Sequence, residues 1–112
     1  MRIVRLDDGG VTRLLLRGEL DLDTGDLFEE HAARALGDRP AELVVDMDGL
    51  TFCDSSGIDV LVAARETAVR AGIGFRVHRP HGIVRRSLTV TGVYELLVGG
   101  TPGPGPARES VG

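Results

Sequence analysis

The densest run of chemically able side chains is Asp54-Ser55-Ser56-Gly57. Asp and Ser are the residues preferred at helix N-termini, where a side-chain oxygen accepts a backbone N–H that has no partner within the helix. One such residue makes a cap, whereas three follow one another here. Gly57 behind them weakens a helix by about 0.5–1 kcal/mol relative to Ala, and a glycine there leaves room for a partner's backbone. If the run lies between a strand and a helix, the positive helix end favours a carboxylate or phosphate by about 0.3–1 kcal/mol, up to ~2. A phosphoserine in the first turn is then compatible with an intact helix. On the residues alone, a structural cap and a functional site both remain open.

A nucleophilic serine is the rival chemistry. Gly-x-Ser-x-Gly is absent, because Asp54 stands where the first glycine belongs, and the sequence places no histidine as its base. No Gly-x-x-x-x-Gly-Lys loop is present, which excludes a P-loop kinase or ATPase. His31 falls on the apolar stripe of a helix and reads as a packed side chain. His78 and His81 are spaced to share a metal but lack a third ligand, so no metal or cofactor is expected. Cys53 reads as a small buried residue. Arg85-Arg86 fits a solvated face as well as a docking patch.

The elements that position this run follow from periodicity. Asp8-Gly9-Gly10 separates the apolar runs Ile3–Leu6 and Val11–Arg17, which predicts an opening hairpin. A helix follows with Asp23 or Thr24 as N-cap and Leu27, Phe28, His31, Ala32, Ala35 and Leu36 at helical spacing; Gly37-Asp38-Arg39-Pro40 stops it. Leu43-Val44-Val45 reads as a buried central strand, and Asp46 to Cys53 as its continuation into a loop. A second helix is expected from about Gly57 to Ala71, with Ile58, Leu61, Val62, Arg65 and Val69 on one face and Gly72 closing it. Phe75–Val77 gives another strand, and Pro80 suits the first turn of a third helix that runs to Gly92. Val93–Val98 is a last apolar segment, helix or strand. The stretch 99–112 is so rich in Pro and Gly that it reads as a disordered tail behind a domain of residues 1–98. Strands alternating with helices after a hairpin predict an α/β fold, a mixed β-sheet with helices packed on it.

Composition narrows the function classes. The chain has 112 residues, enough for one core. Its 13 cationic side chains are all arginine, scattered among 17 carboxylates for a net charge of −4, which argues against nucleic-acid binding. A lone cysteine fits a reducing compartment. No apolar run approaches a membrane span, so membrane insertion is not expected. The expected location is the cytoplasm.

Two segments then carry a resemblance. Gly18-Glu19-Leu20-Asp21 and Leu43-Val44-Val45-Asp46-Met47-Asp48-Gly49-Leu50-Thr51-Phe52-Cys53-Asp54-Ser55-Ser56-Gly57-Ile58 closely resemble the STAS domain of anti-sigma factor antagonists. Leu88-Thr89-Val90-Thr91-Gly92-Val93 and the following Tyr94–Val98 are similar to that family's closing region, so the resemblance spans roughly Val4 to Val98. It implies a non-enzymatic partner switch acting in transcription regulation and stress responses. The second serine, Ser56, is the implied phosphoacceptor. The implied partners are an anti-sigma factor that is itself a serine kinase, and a serine phosphatase that resets the modified form. Asp21, Asp54, Ser55, Gly57 and Ile58 are the implied docking residues. The same family also includes non-catalytic STAS subunits of transporters or larger signalling assemblies, which is the alternative reading.

Overall fold

The computed structural model describes residues 1–99. Strands β1 (Arg2–Asp8) and β2 (Val11–Leu20) form the opening hairpin, antiparallel, with Asp8 opposite Val11. Gly9 and Gly10 make its two-residue turn at φ +59° and +88°. A turn with positive φ at both positions matches the right-handed twist of the strands, and glycine adopts it without a steric penalty.

Helix α1 (Gly25–Gly37) leads to β3 (Glu42–Cys53), α2 (Ser55–Arg70) to β4 (Gly74–His78), and α3 (Gly82–Val90) with the short α4 (Tyr94–Val98) closes the described chain. The sheet order is β1-β2-β3-β4, with β2, β3 and β4 parallel. This is the mixed α/β sheet that the sequence predicts. The segment of residues 100–112, most of the expected tail, lies outside the described residues.

Because strand order advances in one direction without reversal, right-handed crossovers put α1 and α2 on the same face of the sheet. Leu14, Leu16, Leu43, Val45, Met47, Phe75 and Val77 point to that face. They form one core with Phe28 and Ala35 of α1, Leu61 and Ala68 of α2, Val84 and Leu88 of α3 and Leu97 of α4.

Several expectations change in detail. Asp46 to Cys53 is strand, not loop. Two register shifts opposite β2, between Leu15 and Arg17 and between Gly18 and Glu19, each add a residue to β3. Inward positions therefore run Leu43, Val45, Met47 and then Leu50 and Cys53, so the alternation that marks a strand breaks in mid-element. The buried stripe of α2 runs through Ile58, Leu61, Ala64 and Ala68, while Val69 is exposed. His81, not Pro80, precedes α3. Gly72 ends α2 as expected: at φ +73° it lets Ile73 N–H reach Ala68 O at 2.9 Å and Gly72 N–H reach Val69 O at 3.1 Å.

Candidate functional site

Parallel strands deliver their C-terminal ends to one edge of the sheet. The last ladder pair of β2 and β3 is Leu20 with Cys53, and Asp54 N–H donates to Leu20 O at 3.3 Å. The chain leaves these ends through Asp21 toward α1 and through Asp54 toward α2. Two residues far apart in sequence thus become neighbours at the sheet rim.

Asp54 is extended (φ −100°, ψ −171°) and its carboxylate accepts the Gly57 N–H at 3.0 Å, the geometry of an N-cap. The N–H groups of Ser55 and Ser56 point out of the first turn and make no hydrogen bond among the described residues. They keep the partial positive charge of the helix end. Ser55 is exposed and Ser56 half-buried, and neither hydroxyl is hydrogen-bonded among the described residues.

Successive helical residues are about 100° apart, so the two serines face different surroundings. Ser55 opens onto a groove of about 310 Å³ between the start of α2 and α3, which Ile58, Ile83, Arg86 and Val90 also line. Ser56 lies on the other flank, one turn before Val60, which packs beside Gly25 at the start of α1.

Asp21 is placed by the turn after β2. Its carboxylate accepts from Asp23 N–H at 3.0 Å and Thr24 N–H at 3.2 Å, and the Thr24 hydroxyl donates to Glu19 O at 2.8 Å. Thr24 is the N-cap residue of α1, but its hydroxyl turns back to the strand end and does not cap the helix. The Asp21 carboxylate thus builds the rim of the site, with Leu22 projecting from the turn at 78% exposure.

Gly57 has a role opposite to the one its sequence position suggested. It is buried, and a Cβ there would lie 2.6 Å from Leu20 O and 2.9 Å from both Cys53 Sγ and Leu20 Cγ. The missing side chain admits the domain's own strand end, so a partner's backbone does not reach this position. Ile58 is also largely buried, with one edge on the groove. Cys53 lies beneath the site, where burial and then the Asp54 charge push its thiol up to about 12. It is a packed thiol at neutral pH.

Sequence reasoning missed the apolar rim. Ile83 and Val90 line the groove at Ser55 and are exposed, and Leu22 after β2 and Phe52 near the end of β3 are exposed as well. It also missed the bracket that holds α3 in place. Arg79 donates to the buried Asp46 carboxylate at 2.7 Å, and His81 Nε2 donates to Asp48 O at 2.7 Å. Arg79 adopts φ +56° to make this contact. Burial alone would raise the Asp46 pKa. The Arg79 and Asp48 N–H hydrogen bonds, with the charges of Arg79 and His78, outweigh it and hold the carboxyl below its ordinary value. No local pattern marks these residues, because each contact joins positions 33 apart.

The family model of the STAS domain matches residues 3–106. Over 87 residues the chain is 31% identical to the anti-sigma-F factor antagonist RsfB of Mycobacterium tuberculosis, covering 78% of this chain and 70% of that protein. The crystal structure of an anti-sigma factor antagonist from Mycobacterium paratuberculosis is similar, with TM-score 0.75 and 28% identity over 86% of this chain and 81% of the other. The anti-sigma factor antagonist SpoIIAA in its unphosphorylated form shares the fold, with TM-score 0.69 and 20% identity over 87% and 86% of the two chains.

Proposed function

Because the chain belongs to the STAS domain family, we propose that it is an anti-sigma factor antagonist whose complex with an anti-sigma factor kinase ends when Ser56 is phosphorylated. The observation that carries this reading is the first turn of α2. It presents the half-buried Ser56, whose hydroxyl has no partner among the described residues, beside helix N–H groups that make no hydrogen bond and next to a groove that the exposed Ile83 and Val90 line. Such a surface suits a partner that covers it and a kinase that reaches the serine.

The chemistry of release follows from charge. A phosphoryl group brings about −1.5 to −2 at neutral pH. It would stand in the same first turn as the Asp54 carboxylate, which is already committed to its cap, at the sheet rim that Asp21 also occupies. A partner surface that accepts a neutral hydroxyl then has to desolvate a dianion. A penalty of ~3 kcal/mol lowers affinity about a hundredfold. The helix N-terminus tolerates the group, so the fold itself stays intact.

The reading assigns the domain no catalytic step of its own. Among the described residues no histidine lines the groove at Ser55, and His31 and His81 are engaged with Leu27 O and Asp48 O. No described helix is long and apolar enough to cross a membrane.

The test is peptide mass spectrometry after incubating wild type, Ser55→Ala and Ser56→Ala with host lysate and magnesium ATP. Phosphate on Ser56 in the wild type and in Ser55→Ala, with none in Ser56→Ala, is the expected result. Phosphate on Ser55 alone overturns the assignment of the serine. Absence from both, in lysate with demonstrated serine kinase activity, overturns the switch.

A further inference from the structure

We propose that β1, the outer strand of the sheet, pairs antiparallel with β1 of a second copy of this chain. The sheet order gives β1 a neighbour on one side only. Asp8 and Val11 flank the two-residue turn, so they form the hydrogen-bonded pair of the hairpin. By alternation the backbone groups of Arg2, Val4, Leu6 and Asp8 point to β2, and those of Ile3, Arg5 and Asp7 point out of the sheet edge. The outward groups make no hydrogen bond among the described residues. An open edge of this kind is a template for another strand.

The order of charges along the strand selects a second copy as that partner. Arg2 and Arg5 both precede Asp7 and Asp8. An antiparallel copy sets the positive end of one strand against the negative end of the other, whereas a parallel copy sets like against like. The four charges cancel, so the strand itself is neutral in a chain that carries −4. With the twofold axis at Arg5, Arg2 lies opposite Asp8 of the second copy, and Val4 opposite Leu6 of the second copy. The backbone allows this register, because it pairs Ile3 with Asp7 and Arg5 with Arg5, the residues whose backbone groups point outward. The opposite edge, β4, carries Arg76 and His78 but no carboxylate, so it has no such match with itself.

The neighbouring strand extends these matches. Within the chain Arg2 lies opposite Arg17 and Val4 opposite Leu15. The two exposed arginines are like charges across a strand pair, which is unfavourable. Neither of them, nor Glu19 or Asp8, forms an ion pair among the described residues. In the joined sheet the row Arg17, Arg2 continues into Asp8 of the second copy, which brings a carboxylate to that pair. The next row, Leu15 and Val4, continues into Leu6 of the second copy. It covers a leucine that is 49% exposed in the single chain.

On the helix side of the strand the two Arg5 side chains approach the axis. Each is held by Asp38 at 2.7 Å and by Asp7 at 3.2 Å, so carboxylates compensate the like charges. The contact involves seven residues from each copy. That is less than a standard interface supplies, and a Kd of about 0.1–1 mM is expected.

The experiment is sedimentation equilibrium with amide hydrogen exchange of the full chain over about 0.02–2 mM, a range that brackets this Kd. A monomer–dimer equilibrium is expected, and within β1 exchange should slow with concentration at Ile3, Arg5 and Asp7 alone. Arg2→Glu should weaken the dimer about tenfold, and adding Asp8→Arg to it should restore the wild-type Kd. A mixture of Val4→Cys and Leu6→Cys in glutathione buffer should form the mixed disulfide faster than either variant links to itself, because this register brings those two Cα atoms to about 4.5 Å. A wild-type chain that stays monomeric over the whole range overturns the proposal. So does a dimer whose slowed amides lie outside β1, a charge swap that fails to restore affinity, or faster self-linkage of Leu6→Cys.

Discussion

Gly57→Ala tests whether α2 is seated by close packing against its own strand end. The φ of Gly57 is ordinary for an L residue, so only space is at issue. The new methyl would lie 2.6 Å from Leu20 O and 2.9 Å from Cys53 Sγ, distances at which atoms have to move. Overpacking of this kind costs about 1–3 kcal/mol. Ala also gains about 0.5–1 kcal/mol of helix propensity. A contact of 2.6 Å with a backbone carbonyl puts the cost toward the upper end of that range, about 2–3 kcal/mol, so the balance is a loss of roughly 1–2.5 kcal/mol, which lowers Tm by about 5–15 °C for a domain of this size. The side chain cannot simply swing aside, because the nearest obstacle is a backbone carbonyl. Relief requires the start of α2 to lift, which carries Ser55 and Ser56 with it and slows phosphorylation. Gly37→Ala is the control: a Cβ there meets nothing within 4 Å, so its Tm should stay level or rise. Thermal unfolding followed by circular dichroism reads both. A Gly57→Ala protein as stable as wild type, phosphorylated at the wild-type rate, refutes the packing argument and restores the view that the glycine faces a partner.

Three further outcomes follow from the site and its supports. Ser56→Ala should bind the anti-sigma factor and resist release by kinase and ATP, while Ser56→Asp should bind roughly a hundredfold more weakly by isothermal titration; equal affinities would contradict electrostatic release. Asp46→Asn should cost about 1 kcal/mol at pH 7, because it breaks the charge-assisted contact with Arg79. The native pKa of Asp46 lies below its unfolded value, so this contribution is present above about pH 4 and is lost as pH falls through the native value; urea unfolding at pH 7 and pH 3 should show the gap between the proteins closing in acid. Cys53, with its thiol near 12 and buried, should react with a disulfide reagent only as fast as the domain opens; labelling at the rate of a free thiol would show that the space beneath the site is accessible.

The sequence by itself determined what depends on neighbours within about one helical turn. The two glycines of the hairpin turn, the Asp54 cap on Gly57 N–H and the Gly72 termination of α2 all appear where local chemistry places them. The serine pair at a strand–helix junction was legible for the same reason, since a cap and a buried apolar run are both short-range signals. Tertiary structure decided what depends on register and close approach. It carried β3 to Cys53 through two shifts that break the period, and it filled the space at Gly57 with Leu20. It also turned Ser55 and Ser56 toward different flanks of α2. Thr51 to Gly18 O, Arg79 to Asp46 and His81 to Asp48 O each join residues 33 apart. No periodicity encodes such pairs, because they exist only once parallel strands align and bring their ends to one edge of the sheet.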